Sequence, residues 1–496
     1  MPLTRPPTRA THAAGAPLAT RRRRSPGAVG ASGWLVLALV AVSLGVPTGE
    51  LRAADPPPTA TPASSASPTR TPIPMRATTP IATVAPLPAP TPTPPGPTQL
   101  GPSVTFHGRG YGHGVGMSQY GARGRALAGP GAPEILAHNY QGATPRTIAS
   151  DTPIRVRVLK AFTASAADPL VLYGRGGEWT IDGVDRTFPA DARVTVTPAT
   201  AGGTTSWTVK VTSAAGTVLR SAASANFRLR PAGSATTLQV WSRPSSYDEY
   251  RGVIRVRLDT TAPTLNVINE LPLETYLRGV VPAEMPSSWP VEALTAQAVA
   301  ARSYAARRLR PGVSYYDVSD DTSSQVYLGR EGERAATDVV VSATAGQVLT
   351  SGSSIANTLF HSAGGGATEH NENVFVSASG AKVAGPVSYL RGSADRAADG
   401  SPFDAASPYA TWRTATYSRS QLSAWFSDDS RTAVGSLTAL DLRDRGVSGR
   451  LISVTLIGSA GTKTVSGEVF RSVFNAHRPG GDPSMRSTLV DTKPVP

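Results

Sequence analysis

The chain has 496 residues, 40% of them hydrophobic, with 44 prolines, 48 glycines, no cysteine and a formal charge of +14. That length leaves room for two or three domains with a real core, and the lack of cysteine excludes disulfides, thiol catalysis and cysteine-bound metal. The charge is uneven: up to Ala54 seven arginines face one acid, Glu50, which leaves +8 for everything after it, a surplus that suits wall polymer, phospholipid or nucleic acid without choosing among them.

Arg21 to Arg24 precede an apolar run from Gly33 to Val46 that Pro47 ends. The run is shorter than the ~20 residues of a membrane-spanning helix and has the form of a signal peptide's hydrophobic region. Residues 1–54 are therefore read as a signal peptide or an N-terminal membrane anchor, with the basic side cytoplasmic. Either way the rest is exported, in the cell wall or anchored outside the cytoplasm, and membrane contact is confined to the N-terminal segment. Residues 55–101 are nearly all Pro, Thr, Ala and Ser; they cannot bury a core, and proline keeps them extended as a disordered spacer. Folding is expected over 102–478, followed by a frayed tail, 479–496.

The block Gly108-Arg109-Gly110-Tyr111-Gly112-His113-Gly114-Val115-Gly116-Met117-Ser118-Gln119-Tyr120-Gly121-Ala122 combines glycines that let a backbone approach a ligand closely with side chains able to hydrogen-bond sugar hydroxyls and amides. It contains a Gly-x-Gly-x-x-Gly spelling, but no βαβ strand precedes it and no phosphate-loop lysine follows, which argues against a nucleotide site. Between 150 and 269 short runs alternate with period two, as in Ile154-Arg155-Val156-Arg157-Val158, Trp207 to Val211 and Val253 to Leu258. They read as half-buried strands of a scaffold.

The clearest helix is predicted over about Pro290 to Leu309, with Pro290 and Glu292 at its start and Pro311 as its stop. At about 100° per residue, Val291, Leu294, Ala298, Ala301, Ala305 and Leu309 form an apolar stripe, and Arg302 falls inside it. A guanidinium there calls for a carboxylate or an anionic ligand. Just before the helix, Pro282 and Pro286 bracket Glu284, with Val281, Met285 and Trp289 around it. A carboxyl in apolar surroundings has a raised pKa and can deliver a proton near neutral pH. Strands are expected through Ile355 to Phe360, a short helix near Ser418 to Phe426, and a hairpin at Leu451–Ile457 and Lys463–Ser466. The segment Phe360-His361-Ser362-Ala363-Gly364-Gly365-Gly366-Ala367-Thr368-Glu369-His370 fits no standard zinc spacing and lacks the nucleophile-elbow spelling.

These blocks together resemble the stage II sporulation protein D (SpoIID/LytB) family. The resemblance runs through Leu271 to Pro286, Glu292 to Tyr304, Ser324-Gln325-Val326-Tyr327-Leu328-Gly329, the Gly-Gly-x-Thr-Glu region ending at Glu369, and the Gly-His-Gly-Val-Gly-Met-Ser-Gln-Tyr-Gly-Ala block. It implies lytic transglycosylase activity on peptidoglycan, leaving 1,6-anhydro-N-acetylmuramic acid ends, with Glu284 as the one acid and base and Arg302 as its electrostatic partner. A non-catalytic, wall-binding amidase enhancer is the other role attached to the family. In its best-known members the glycine-rich block follows the glutamate helix, whereas here it precedes it. Some members bind zinc partly through cysteines, and this chain has none.

The expectation is an α+β, strand-rich domain with one main helix after the glutamate motif, forming the floor of a glycan cleft. Glu284 and Arg302 are the catalytic candidates, and His113, Ser118, Gln119, Tyr120, Gln325, Tyr327 and His361 the substrate-binding ones. No metal, cofactor or nucleic acid is implied; the expected partners are peptidoglycan glycan strands and a cell-wall amidase.

Overall fold

In the strand Pro153–Thr163, Ile154, Val156 and Val158 are buried while Arg155 and Arg157 face outward, as period-two alternation requires. The computed structural model describes residues 96–494 except 202–203, 225 and 259–263; the segments read as signal or anchor and most of the proline-rich spacer lie outside the described residues. Pro153–Thr163 is second in a seven-stranded sheet, after Val318–Ser319 and before Thr264–Pro272, Val253–Leu258, Asn226–Pro231, Trp179–Ile181 and Thr187–Phe188. A six-stranded sheet runs from Val218–Ala223 through Thr204–Thr212, Arg193–Ala201, Leu170–Arg175 and Thr237–Gln239 to Glu249–Tyr250. Both sheets contribute to one apolar core, which makes this part the scaffold the alternation predicts.

The same core takes in the helices α1 (Gln119–Leu127), α2 (Ala132–Asn139), α3 (Leu273–Glu284) and α4 (Val291–Ala306); the short α5 (Gly329–Gly332) packs on α3, and α6 (Ala335–Ala343) joins the core again. The helix α4 is the predicted main helix, but it is more than a floor. It packs against α1, α2, α3, α6 and the strand Gln347–Ser351, and every residue from Ala293 to Ala306 except Thr295 is buried. Its first stripe residue, Val291, is instead 57% exposed. Glu292 accepts the backbone N–H of Ala132 at 2.8 Å, satisfying an orphan donor at the start of α2.

A second core joins Leu100, Val104 and Phe106 to residues between Tyr417 and Val490. Its sheet orders Thr98–Gln99, Leu437–Asp441, Ser453–Gly458 and Gly461–Ser466, the last two being the predicted hairpin. The predicted short helix spans Arg419–Ser427, capped by Ser418 and Gln421 in reciprocal hydrogen bonds. Two boundaries differ from expectation. Order begins by Thr98, not after 101, because Leu100 is buried in this core. The residues after Pro479 are not all frayed: Val490–Asp491 pairs with His107–Gly108, and Met485, Leu489 and Val490 are buried.

Candidate active site

No helix was predicted before Pro290, yet α3 ends at Glu284 with Pro282 inside it. Its buried residues Leu273, Tyr276, Leu277, Val280, Val281 and Glu284 recur at three- and four-residue spacing. Glu284 is therefore the polar end of an apolar face and not a loop residue. Pro282 sits in the last turn, where its missing N–H costs one bond as the helix ends.

Glu284 is 4% exposed. Its Oε1 accepts the backbone N–H of Val326 at 3.0 Å, while Oε2 has no hydrogen-bond partner. Burial raises its pKa to about 7, with the Val326 N–H and the Gln119 side chain pulling the other way. The Gln119 amide faces this carboxyl, yet its Nε2 completes no hydrogen bond of good geometry. Glu284 lines a cavity of about 20 Å³, room for roughly one water molecule, together with His113, Tyr304, Thr322, Ser324, Val326, Leu359 and Phe360. It is the only carboxylate among these lining residues.

Gln325 and Tyr327, expected to touch substrate, are interior and hold Val326 from either side. Gln325 accepts the Tyr276 hydroxyl at 3.2 Å and donates to the Ala301 carbonyl at 3.3 Å. The Tyr327 hydroxyl donates to Asn269 Oδ1 at 2.9 Å, and its ring packs against Tyr276. The backbone donor to Glu284 thus rests on two anchored neighbours.

Arg302 does not stand beside Glu284. Its Nε and Nη2 donate to the two carboxylate oxygens of Glu274 at 2.8 and 2.7 Å, and its remaining donors reach the Thr344 hydroxyl and the Gln347 and Val341 carbonyls. Glu274 is in the first turn of α3 and Glu284 ends it, so at 1.5 Å per residue the two carboxyls are roughly 15 Å apart along the axis. The fully buried guanidinium demanded a partner, as its helical position implied, but the partner is Glu274. Arg302 ties together α3, α4, α6 and the strand Gln347–Ser351.

The glycine-rich block does reach Glu284 despite its early place in the chain. Met117–Ser118 pairs in parallel with Phe360–His361, and Tyr111 bridges Ala363. What the glycines admit is the chain's own backbone: Gly116 has φ +71°, and a Cβ there would stand 2.1 Å from the Leu359 carbonyl oxygen. His113 accepts the Val115 N–H on Nδ1 at 3.0 Å, which leaves Nε2 to carry the ring proton. His361 Nδ1 contacts the Val115 carbonyl at 3.2 Å and must donate, so its Nε2 is the bare nitrogen. The rings are 5.4 Å apart; His113 Nε2–H faces the Phe360 carbonyl without completing a hydrogen bond of good geometry, and His361 Nε2 has no partner among the described residues. Burial lowers both pKa values, that of His113 to about 4.

Of the other candidates, Ser118 is a buried cap of α1, accepting from Gly121 and Gly364. Tyr120 is half-buried with its ring edge on Trp289, 4.8 Å between centres. Glu369 is consumed by Ser448 and the N–H groups of Val447 and Ser448, and His370 accepts from Gly392, so His361, Glu369 and His370 do not converge. Among the described residues only Asp248, Glu249 and Glu331 bring three ligand atoms within 4.8 Å. Sequence reasoning missed Val326, Tyr304, Thr322, Ser324 and Phe360 as site residues, and for Val326 no side-chain signal exists, since its contribution is a backbone N–H.

The family model described as stage II sporulation protein (SpoIID) matches residues 261–351. An uncharacterized protein of Brachyspira hyodysenteriae is 40% identical over 114 residues, covering 23% of this chain and 31% of the relative. The amidase enhancer of Bacillus subtilis is 41% identical over 101 residues, 20% of this chain and 14% of the relative. Stage II sporulation protein D of the same organism is 31% identical over 189 residues, 34% of this chain and 51% of the relative. The chain thus spans about half or less of each of these relatives, and no solved structure matches it. Residues 261–351 are thus similar to the stage II sporulation protein family, and this matched segment is the one that holds Glu284, α4 and Val326.

Proposed function

We propose that this protein acts on the cell wall as a lytic transglycosylase, cleaving peptidoglycan glycan strands with Glu284 as both acid and base. The carrying observation is a single buried carboxyl, poised near neutral pH, lining a cavity with no second carboxylate among the described residues that line it. Hydrolytic glycosidases pair two carboxyls about 5–10 Å apart; a one-carboxyl site suits cleavage in which the sugar supplies its own nucleophile. Neutral Glu284 gives its proton to the glycosidic oxygen as the bond from that oxygen to the anomeric carbon breaks. The 6-hydroxyl oxygen then bonds to the anomeric carbon, and its proton passes to the Glu284 carboxylate, restoring the acid. The Val326 N–H stabilises the carboxylate between the two transfers. His113 stands in the same wall, its Nε2–H directed toward the Phe360 carbonyl. The cavity as it stands admits about one water, so a sugar reaches Glu284 only with a rearrangement of the residues that line it.

The test is mass spectrometry of purified wall treated with the chain. Anhydro-muramic ends should form with the native protein and vanish with Glu284→Gln; if neither protein yields them, the enzymatic reading fails. The alternative, a non-catalytic enhancer of a wall amidase, rests on the name of one relative, and it predicts that Glu284→Gln stimulates an added amidase as well as the native chain does.

A further inference from the structure

The segments that carry Glu284 and Gln119 also carry aromatic and cationic side chains that the proposed chemistry leaves unused. Trp289 lies on the loop from α3 to α4, five positions after Glu284, and Tyr120 directly follows Gln119. Both rings are half-buried and meet edge to face at 4.8 Å. Arg123, one turn beyond Tyr120 in α1, sets its guanidinium 5.7 Å from the Trp289 ring centre. Tyr409 is within electrostatic reach of Tyr120, and the guanidinium of Arg486 lies 4.9 Å from the Tyr409 ring centre. Arg123 lies over the Trp289 ring and Arg486 over those of Tyr111 and Tyr409, whereas Arg125, two positions from Arg123, is paired with Asp395. Aromatic surface gives the apolar face of a sugar ring somewhere to rest, and a guanidinium held beside it by cation–π contact presents paired donors that match a carboxylate.

We propose that the ledge of Trp289, Tyr120 and Arg123, continued by Tyr409 and Arg486, is a subsite for a carboxylate-bearing sugar of the glycan strand, with Arg123 binding the carboxylate. The proposal rests on the reading of Glu284 as the glycan-cleaving acid, because Trp289 and Tyr120 hang on the two segments that position that carboxyl. The carboxylate belongs either to the sugar's own lactyl group or to a peptide attached to it.

The experiment measures binding by calorimetry to the full chain carrying Glu284→Gln, so that no strand is cut. Four ligands are compared: peptide-free strands with free lactyl carboxylates, the same strands with those groups amidated, peptide-bearing strands, and neutral chitooligosaccharides. A carboxylate-bearing strand should bind about tenfold more tightly than the neutral ligands, the weight of one charge-assisted hydrogen bond. Adding Arg123→Gln should erase that preference and leave chitooligosaccharide binding unchanged; Arg123→Lys should retain part of it. Trp289→Ala should weaken all four ligands. Preference for the peptide-free over the amidated strand assigns the lactyl group, and preference confined to peptide-bearing strands assigns the peptide. The proposal is overturned if the amidated and free strands bind alike and the peptide brings no gain, if nothing binds, or if Arg123→Gln weakens every ligand equally. Should Arg123→Gln unfold, the ligand comparison on the parent chain decides. Cleavage is not read in this assay, so a chain that never forms anhydro ends can still show the preference, and a chain without the preference can still cleave.

Discussion

Arg302 and Glu274 form a two-pronged ion pair, 2.8 and 2.7 Å, with the guanidinium wholly buried. The pair clamps the first turn of α3 to α4, and the opposite end of α3 delivers Glu284. The arginine that the family resemblance made the electrostatic partner of Glu284 is therefore linked to it only through the helix between them.

Removing one partner of such a pair leaves an uncompensated charge in the interior. Arg302→Met should destabilise the fold by about 3 kcal/mol, read as a lower urea midpoint, and Arg302→Met with Glu274→Leu should recover part of that loss. A variant that keeps its midpoint and loses cleavage would instead place Arg302 in the chemistry.

Glu284 has a pKa raised from 4.5 to about 7 by burial. Between those values the native state holds a proton that the unfolded chain has released, so stability falls as pH rises through this window. The loss is of order 3 kcal/mol and complete above pH 7. Glu284→Gln should abolish cleavage while making the protein more stable than the native chain at pH 8, with the difference shrinking toward pH 4.5. Equal pH dependence in both proteins would show that the carboxyl is not buried as described.

Gln119 lowers the pKa of Glu284. Gln119→Leu should raise it further, moving the alkaline limb of the pH–rate profile upward and leaving more of the acid protonated at neutral pH. An alkaline limb that stays in place, or moves down, contradicts the facing arrangement of amide and carboxyl.

His113 has the opposite sign. Its pKa falls from 6.5 to about 4 through burial and the nearby Arg450 charge, so below pH 6.5 the unfolded chain takes up a proton that the native ring refuses. Stability should drop by about 3 kcal/mol between pH 6.5 and 4 on this account. His113→Asn should show a shallower acid loss in denaturation midpoints measured across that range.

Much of the scaffold was legible from local pattern. Ile154 to Val158, Trp207 to Val211 and Val253 to Leu258 alternate as strands and are strands, and α4 begins at the predicted proline. The helix α3 went unpredicted although the spacing of Tyr276, Leu277, Val280 and Val281 was there to see; Pro282, disfavoured inside a helix, is tolerated because it sits in the last turn. The glycine-rich block was recognisable as special, but what its glycines make room for is the chain's own 359–365 segment and Arg450.

Residue type and spacing were enough to single out Glu284 as a carboxyl in apolar company and Arg302 as a cation needing a carboxylate, because burial is written in helical periodicity. They could not say which carboxylate answers Arg302, that Val326 offers its N–H to Glu284, or that Gln119 comes from far along the chain to face it. Those are long-range pairings. They depend on where the packing of α1, α3 and α4 brings backbone groups and side chains together, and no local pattern encodes a distance between segments 165 residues apart.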